Sequence, residues 1–269
     1  MLQIERLSRG EWASVRSGDE RREISLVKSG SRVLEVLEYF KRAQRPARAI
    51  EIGETLKLPK SSANVLLKTL VETGYLTFDA RSKCYFPSLR VLRLGNWLQP
   101  DPHGAPRFFG LMQELSQATG AGCGVSVQNG SYVQFVAIVD GPGYMPAERV
   151  EGGKIPIIGS ASGGALLTVK SDAEIAAIVR MSTGHKSTQE YRAVFEQVRR
   201  QAEKFRAQGF AATFGGIDRE IASIAVMLPR IVGNVPMTLG CGGESLFAYR
   251  GRENEVADVM RRIIRNHFA

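Results

Sequence analysis

Residues 58–86 read LPKSSANVLLKTLVETGYLTFDARSKCYF, a leucine-rich run at helical spacing followed by two short apolar stretches around a basic centre. Ala63, Leu66, Leu67 and Leu70 share one face of a helix, and Gly74 is suited to the left-handed residue just past its end. Pro59 fits the first turn, where its missing N–H interrupts no intrahelical bond. Lys60, Ser61, Ser62, Asn64, Val65 and Lys68 are left on the opposite face. The runs YLTF and CYF, separated by Asp79-Ala80-Arg81-Ser82-Lys83, read as a hairpin with a basic tip. A helix greasy on one side and rich in donors on the other suits an element that packs on its own domain and lies in the major groove of DNA.

The flanking sequence supports that reading. Val33, Leu34, Leu37 and Phe40 predict an amphipathic helix over Ser31–Lys41, Pro46 interrupts, and a shorter helix follows from about Arg48 to Leu56 with Ile52 on its inner side. Three short helices and a basic hairpin make a winged helix-turn-helix. Within it, Ser61 and Ser62 are placed to bond phosphates, Asn64 to pair with a base edge and Val65 to touch a thymine methyl. Lys60, Lys68, Arg81 and Lys83 would supply contacts to phosphate that carry no sequence information.

Charge is distributed accordingly. The chain of 269 residues has a net charge of +9, and residues 29–100 carry 12 Lys/Arg against 6 Asp/Glu, while residues 101–269 carry 18 against 16. A basic segment beside a near-neutral one points to a nucleic-acid-binding module joined to something else. No apolar run approaches the ~20 residues that span a bilayer, and the start MLQIERLSRGEW is too charged for a secretory signal, so a cytoplasmic location and no membrane partner are expected. Cys84, Cys123 and Cys241 are widely spaced and encode neither a disulfide framework nor a zinc ribbon. Asn129-Gly130-Ser131 matches a glycosylation sequon but sits between the alternating runs CGVSVQ and SYVQFVAIV, where a tight hairpin turn is expected.

In the second half, Phe108, Leu111, Met112 and Leu115 predict a helix closed by Gly120, followed by strands at about 123–128 and 131–139. The stretch IPIIGSASGGALLTV reads as a loop entering a helix over 163–170, and DAEIAAIVRM as another helix. A long helix starts at Ser187, which forms a capping box with Glu190, buries Tyr191, Val194, Phe195 and Val198, and ends at Gly209. Strands at about 221–228 and 235–241 precede a terminal helix marked by Val256, Met260, Ile263 and Ile264. Strands grouped between helices predict an α+β domain, an antiparallel sheet covered on one face.

The run from Val33 through Trp97 resembles the DNA-binding half of the IclR family of bacterial transcriptional regulators, above all in LPKSS, LLKTLVETGYL, the wing ending in CYF, and SLRVLRLGNWL. The last piece is similar to the family's linker helix, which takes part in dimerisation. Residues 1–27, of mixed charge and little periodicity, are expected to form a mobile arm or a loosely attached helix, and the resemblance implies a winged helix-turn-helix over 28–87, a linker helix over 88–101 and a GAF-like effector domain over 102–269. It also implies a dimer or dimer of dimers on a palindromic operator in double-stranded DNA, and a small organic acid as effector. Carried over by position, the effector contacts would be Ser160, Ala161, Ser162, Thr213, Ser223, Gly240 and Gly242, which also suit ordinary turn and strand positions. Arg48, Lys57, Asn64 and Val65 depart from common family residues in the first half, as Thr213 and Gly216 do from the family's acidic residues in the second.

Enzymatic readings find less support. Gly159-Ser160-Ala161-Ser162-Gly163 lacks the central serine of a nucleophile elbow, and GCGGES lacks the lysine of a phosphate-binding loop. His103, His185 and His267 have no metal-ligand spacing, so no metal or other cofactor and no catalytic residue is expected. The alternative from another class is a thiol-dependent enzyme or redox sensor that uses Cys123 and Cys241.

Overall fold

The computed structural model describes residues 27–95, 107–142, 150–184, 187–229 and 235–268. They form two compact units, residues 27–95 and residues 107–268. The expected N-terminal arm, His103, His185 and the distal part of the expected linker helix lie outside the described residues.

In the first unit, helix α1 (Lys28–Ala43) leads through strand β1 (Ala47–Arg48) to α2 (Ala49–Thr55) and α3 (Lys60–Glu72). Strands β2 (Leu76–Asp79) and β3 (Cys84–Pro87) follow, then a five-residue helix α4 (Leu89–Arg93) capped by the Ser88 hydroxyl. β3 pairs antiparallel with both β2 and the two-residue β1, which is too short to carry a sequence pattern. Val36, Phe40, Ile52, Leu67, Leu70 and Leu76 make the core.

Three expectations shift here. Leu34 is 64% exposed, and Val36 and Tyr39 are buried in its place, so the inner face of α1 is rotated by part of a turn. Pro59 is the N-cap of α3, just outside the helix, where its extended backbone leaves its carbonyl to accept from Ala63 N at 3.0 Å. Helix α4 gives way at Leu94 and Gly95 to a turn, so the described part of the linker is a short helix. Gly74, at φ 77°, ends α3 as expected, with Tyr75 N bonded back to Leu70 O at 2.8 Å.

The second unit starts with α5 (Arg107–Thr119), β4 (Gly122–Asn129), β5 (Tyr132–Val139) and a short strand β6 (Lys154–Pro156). Asn129 pairs with Tyr132 around the two-residue turn Gly130-Ser131, so the expected hairpin forms one residue further on. Helix α6 is Ala161–Leu167, starting two residues earlier than expected, and α7 (Asp172–Thr183) and α8 (Thr188–Gln208) follow. Strands β7 (Ala211–Phe214), β8 (Ala222–Met227) and β9 (Met237–Gly243), a 3₁₀ turn and helix α9 (Glu253–Phe268) complete it. The Ser187–Glu190 capping box is formed, and a second, Ser171 with Glu174, starts α7.

The six strands form one antiparallel sheet in the order β6-β5-β4-β9-β8-β7. It is covered on both faces rather than one. Ile224, Cys241, Cys123 and Leu239 point into a core with Leu111 and Leu115 of α5 and Met260 and Ile263 of α9. On the opposite face, Ala161 and Ala165 of α6 pack with Ala211, Ala225 and Phe205. Burying the Val, Leu, Ile, Met and Phe side chains of the core on the α9 side, at ~1.5–3 kcal/mol each, is the main force holding the unit together.

Candidate functional site

Helix α3 is held by Ala63, Leu67 and Leu70, all at most 3% exposed, which leaves the far side of the helix turned outward. Lys60, Ser61, Ser62 and Lys68 are exposed there, Val65 is 66% exposed, and Asn64 is half-buried at the edge. An exposed valine amid hydroxyls and lysines gains nothing from the fold itself, whereas a methyl surface in the major groove meets thymine. Thr69 also lies on this side, one turn after Val65, with its hydroxyl donating to Val65 O at 2.9 Å. Its i+4 spacing from Val65 was the signal for it.

The hairpin tip is shaped by one carboxylate. Asp79 accepts from Arg81 N at 2.9 Å, from Ser82 N at 3.2 Å and from the Ser82 hydroxyl at 2.6 Å. The Ser82 hydroxyl first, then those amides, hold its carboxyl below the usual range. With Asp79 occupied inside the turn, Arg81 and Lys83 extend into solvent as the exposed cations of the tip. Lys83 adopts φ 58°, a conformation that lysine tolerates poorly. A surface groove of ≈ 430 Å³ on this unit, lined by Leu34, Glu38, Arg42, Thr55 and Lys57, holds none of these residues.

In the second unit the expected effector residues fall on the α6 side of the sheet. Thr213 pairs with Ser223, and Ser223 with Gly242, so these three form one row across β7, β8 and β9. Ala211, Ala225, Gly240 and Gly124 form the next row. Above them, Ser162 of α6 sits so close to Gly240 that a Cβ there would lie 2.8 Å from its Oγ. Ser160 caps α6, accepting from Gly163 N at 3.0 Å, and its hydroxyl donates to Ile157 O at 3.3 Å. Ala161 is 2% exposed and its methyl belongs to the core, leaving only its backbone to a ligand.

Ser160 and Thr213 meet at a cavity of ≈ 10 Å³ that Gly159, Gly164, Gln201 and Phe205 also line, room for about one water. The loop after β7 closes against it: a Cβ on Gly216 would lie 2.6 Å from Gly159 O. Two further polar residues extend the same face, Ser126 and Thr238, fully buried and hydrogen-bonded to each other at 3.0 Å. Sequence reasoning passed over them, although each is a hydroxyl at the alternate position from a glycine.

Residues 30–80 match the IclR helix-turn-helix domain, and residues 107–266 match the bacterial transcriptional regulator IclR C-terminal domain. The chain belongs to the IclR family of transcriptional regulators. This IclR-family chain is 23% identical over 154 residues to the HTH-type transcriptional regulator XynR of Escherichia coli (strain K12), an alignment covering 57% of this chain and 61% of that relative. It thus spans about three fifths of the length of the curated relative it matches. An IclR family transcriptional regulator from Brucella abortus is similar in structure, with a TM-score of 0.51 at 25% identity over 93% of this chain and 95% of that one. Two more share the fold: Thermotoga maritima IclR, with a TM-score of 0.57 at 16% identity over 89% of this chain and 97% of that one, and an IclR homolog from Microbacterium hydrocarbonoxydans. The latter, solved as a complex with 4-hydroxybenzoate, gives a TM-score of 0.54 at 18% identity over 89% of this chain and 98% of that one.

Membership settles the fold class and sets aside the thiol-dependent enzyme, since the family is one of regulators. Among the described residues, no helix is long and apolar enough to cross a membrane. His267 bonds Glu114 at 2.9 Å, an exposed pair.

Proposed function

We propose that this protein is a ligand-responsive transcriptional regulator that binds a palindromic double-stranded DNA operator as a dimer or dimer of dimers. The carrying observation is the outward side of α3, where Ser61, Ser62, Val65 and Lys68 are exposed beside half-buried Asn64. Ser61 and Ser62 hold phosphates at the start of the helix, and Asn64 and Val65 read base edges. Lys60, Lys68, Arg81 and Lys83 add charge. One such helix offers few base contacts, so tight binding needs paired half-sites. Footprinting of the DNA upstream of its own coding region tests this: a symmetric protected site at low salt is expected, and unprotected DNA sinks the reading.

The second unit, in this reading, binds a small organic acid between α6 and the row Thr213, Ser223, Gly242, with Ser160, Ala161, Ser162 and Gly240 completing the contact. The 4-hydroxybenzoate held by the Microbacterium homolog supports an aromatic acid as the first probe. Ligand pockets run to ~300–1,000 Å³, far above the ≈ 10 Å³ between Ser160 and Thr213. Binding therefore opens the contact between Gly216 and Gly159. A ligand changes operator affinity only through unequal affinity for the two DNA-binding states. Thermal shift of the full chain against carboxylic acids, with each hit then tried on the operator, tests both halves. A hit that leaves operator affinity unchanged removes the coupling, and no hit across aromatic and short aliphatic acids removes the pocket.

A further inference from the structure

The row next to the glycine rows, on the opposite face of the same strands, contains two of the three cysteines. Cys123 of β4 and Cys241 of β9 are register partners, directly opposite each other, and each is 2% exposed. Opposed residues in an antiparallel pair have Cα atoms ~4.5–5.5 Å apart, inside the ~4.4–6.8 Å that a disulfide spans. Cys123 Sγ lies 3.6 Å from Ala121 O, and Cys241 Sγ lies 3.7 Å from Ile224 O and 3.9 Å from Met260 Sδ.

We propose that Cys123 and Cys241 are a redox modification site, forming a reversible cross-strand disulfide when a small neutral two-electron oxidant such as hydrogen peroxide reaches them. In the first step one sulfur, losing its proton, attacks the peroxide O–O bond, which breaks to give a sulfenic acid and one water. In the second, the other sulfur attacks the sulfenic sulfur, the S–O bond breaks, and the hydroxide leaves as water with the second thiol proton. Two thiols and one peroxide become one disulfide and two waters. The oxidant is neutral because the pair lies among Leu115, Ile224, Leu239 and Met260, which exclude ions. Burial first, and then the neighbouring Cys241, push the Cys123 thiol up, so the reaction is slow and follows local opening of the unit. Gly122 and Gly124 flank one cysteine and Gly240 and Gly242 the other, so the bond fixes the two strands that carry the glycine floor beneath α6.

The test uses the reduced full chain and hydrogen peroxide, with thiols counted in denaturant and proteolytic peptides mapped by mass. A peptide pair linked through Cys123 and Cys241 that a dithiol reductant separates should appear, while half-exposed Cys84 either keeps its thiol or takes up oxygen without joining the link. The Cys84→Ser variant should fall from two thiols to none. Cys123→Ser and Cys241→Ser should each lose the linked species, and the variant that retains the attacking sulfur should carry it as an oxygen adduct instead; the primary measurement is on the unaltered chain, so a variant that fails to fold leaves the test intact. The proposal is overturned if no peptides linked through Cys123 and Cys241 form even on prolonged exposure in sub-denaturing urea, which raises local opening, at a peroxide level that oxidises the fully unfolded chain. It is equally overturned by Cys123 or Cys241 of the unaltered chain carrying added oxygens without the linked peptides, or by loss confined to Cys84.

Discussion

Single residues in the first unit set measurable quantities. Lys57 adopts φ 52° between α2 and α3, a left-handed conformation that a side chain makes costly. Lys57→Gly should therefore raise the stability of the chain by about 1 kcal/mol, read as a higher denaturation midpoint at unchanged slope. Tyr39 donates to Glu51 at 2.8 Å, and Arg45 pairs with the same carboxylate, which ties α1 to α2. Burial first, then that hydrogen bond, push the Tyr39 hydroxyl up to about 12 from 10.0. The folded state thus favours the protonated form, so its contribution is complete below pH 10 and lost as pH rises through about 12. Denaturation curves between these values should weaken less with pH in Tyr39→Phe than in the unaltered chain. On α3 the two kinds of contact separate: Asn64→Ala should cost ~1–3 kcal/mol of discrimination between operator and random DNA. Lys68→Ala should weaken both equally and lower the salt slope by about one.

At the scale of elements, α6 depends on a neighbour at its end. Arg206 of α8 donates to Thr168 O at 2.7 Å and to Lys170 O at 3.2 Å, satisfying carbonyls just past the last turn of α6. Arg206→Ala should cost about 1 kcal/mol in the second unit and weaken any acid bound beneath α6, while Arg206→Lys should restore part of it; equal ligand affinity in all three would show that α6 is positioned without this contact. The helix ends were legible from sequence because their rules are local: Gly74 and Gly209 stop chains in the left-handed region, and Ser187 and Glu190 satisfy each other. The inner face of α1 was not, because Leu34 and Val36 are both apolar and only the packed partner decides between them. Cover on both faces of the sheet had a signal that went unread, the near-continuous apolar run ASIAVM of β8, interrupted only by Ser223. The effector residues were named through family position, and no local pattern in the chain would have put Ser162 over Gly240.

For the whole molecule, the proposed functions occupy separate compact units and should fail separately. A Cβ on Gly240 would meet Ser162 Oγ at 2.8 Å, so Gly240→Ala should abolish stabilisation by an acid that stabilises the unaltered chain. Operator footprinting without ligand should remain unchanged. Loss of both together would place the substitution in the folding of the chain rather than in ligand recognition.

The alternation along β8 and β9 has a consequence for how such a regulator diversifies. Ile224 and Cys241 face one side, and Ser223, Gly240 and Gly242 face the other, within strands one residue thick. Lineages can therefore exchange the small residues one methyl or hydroxyl at a time, altering which metabolite is sensed, while every second position continues to hold the hydrophobic core. New chemical specificity and continued foldability are then inherited on alternate letters of the same short words, ASIAVM and MTLGCGG.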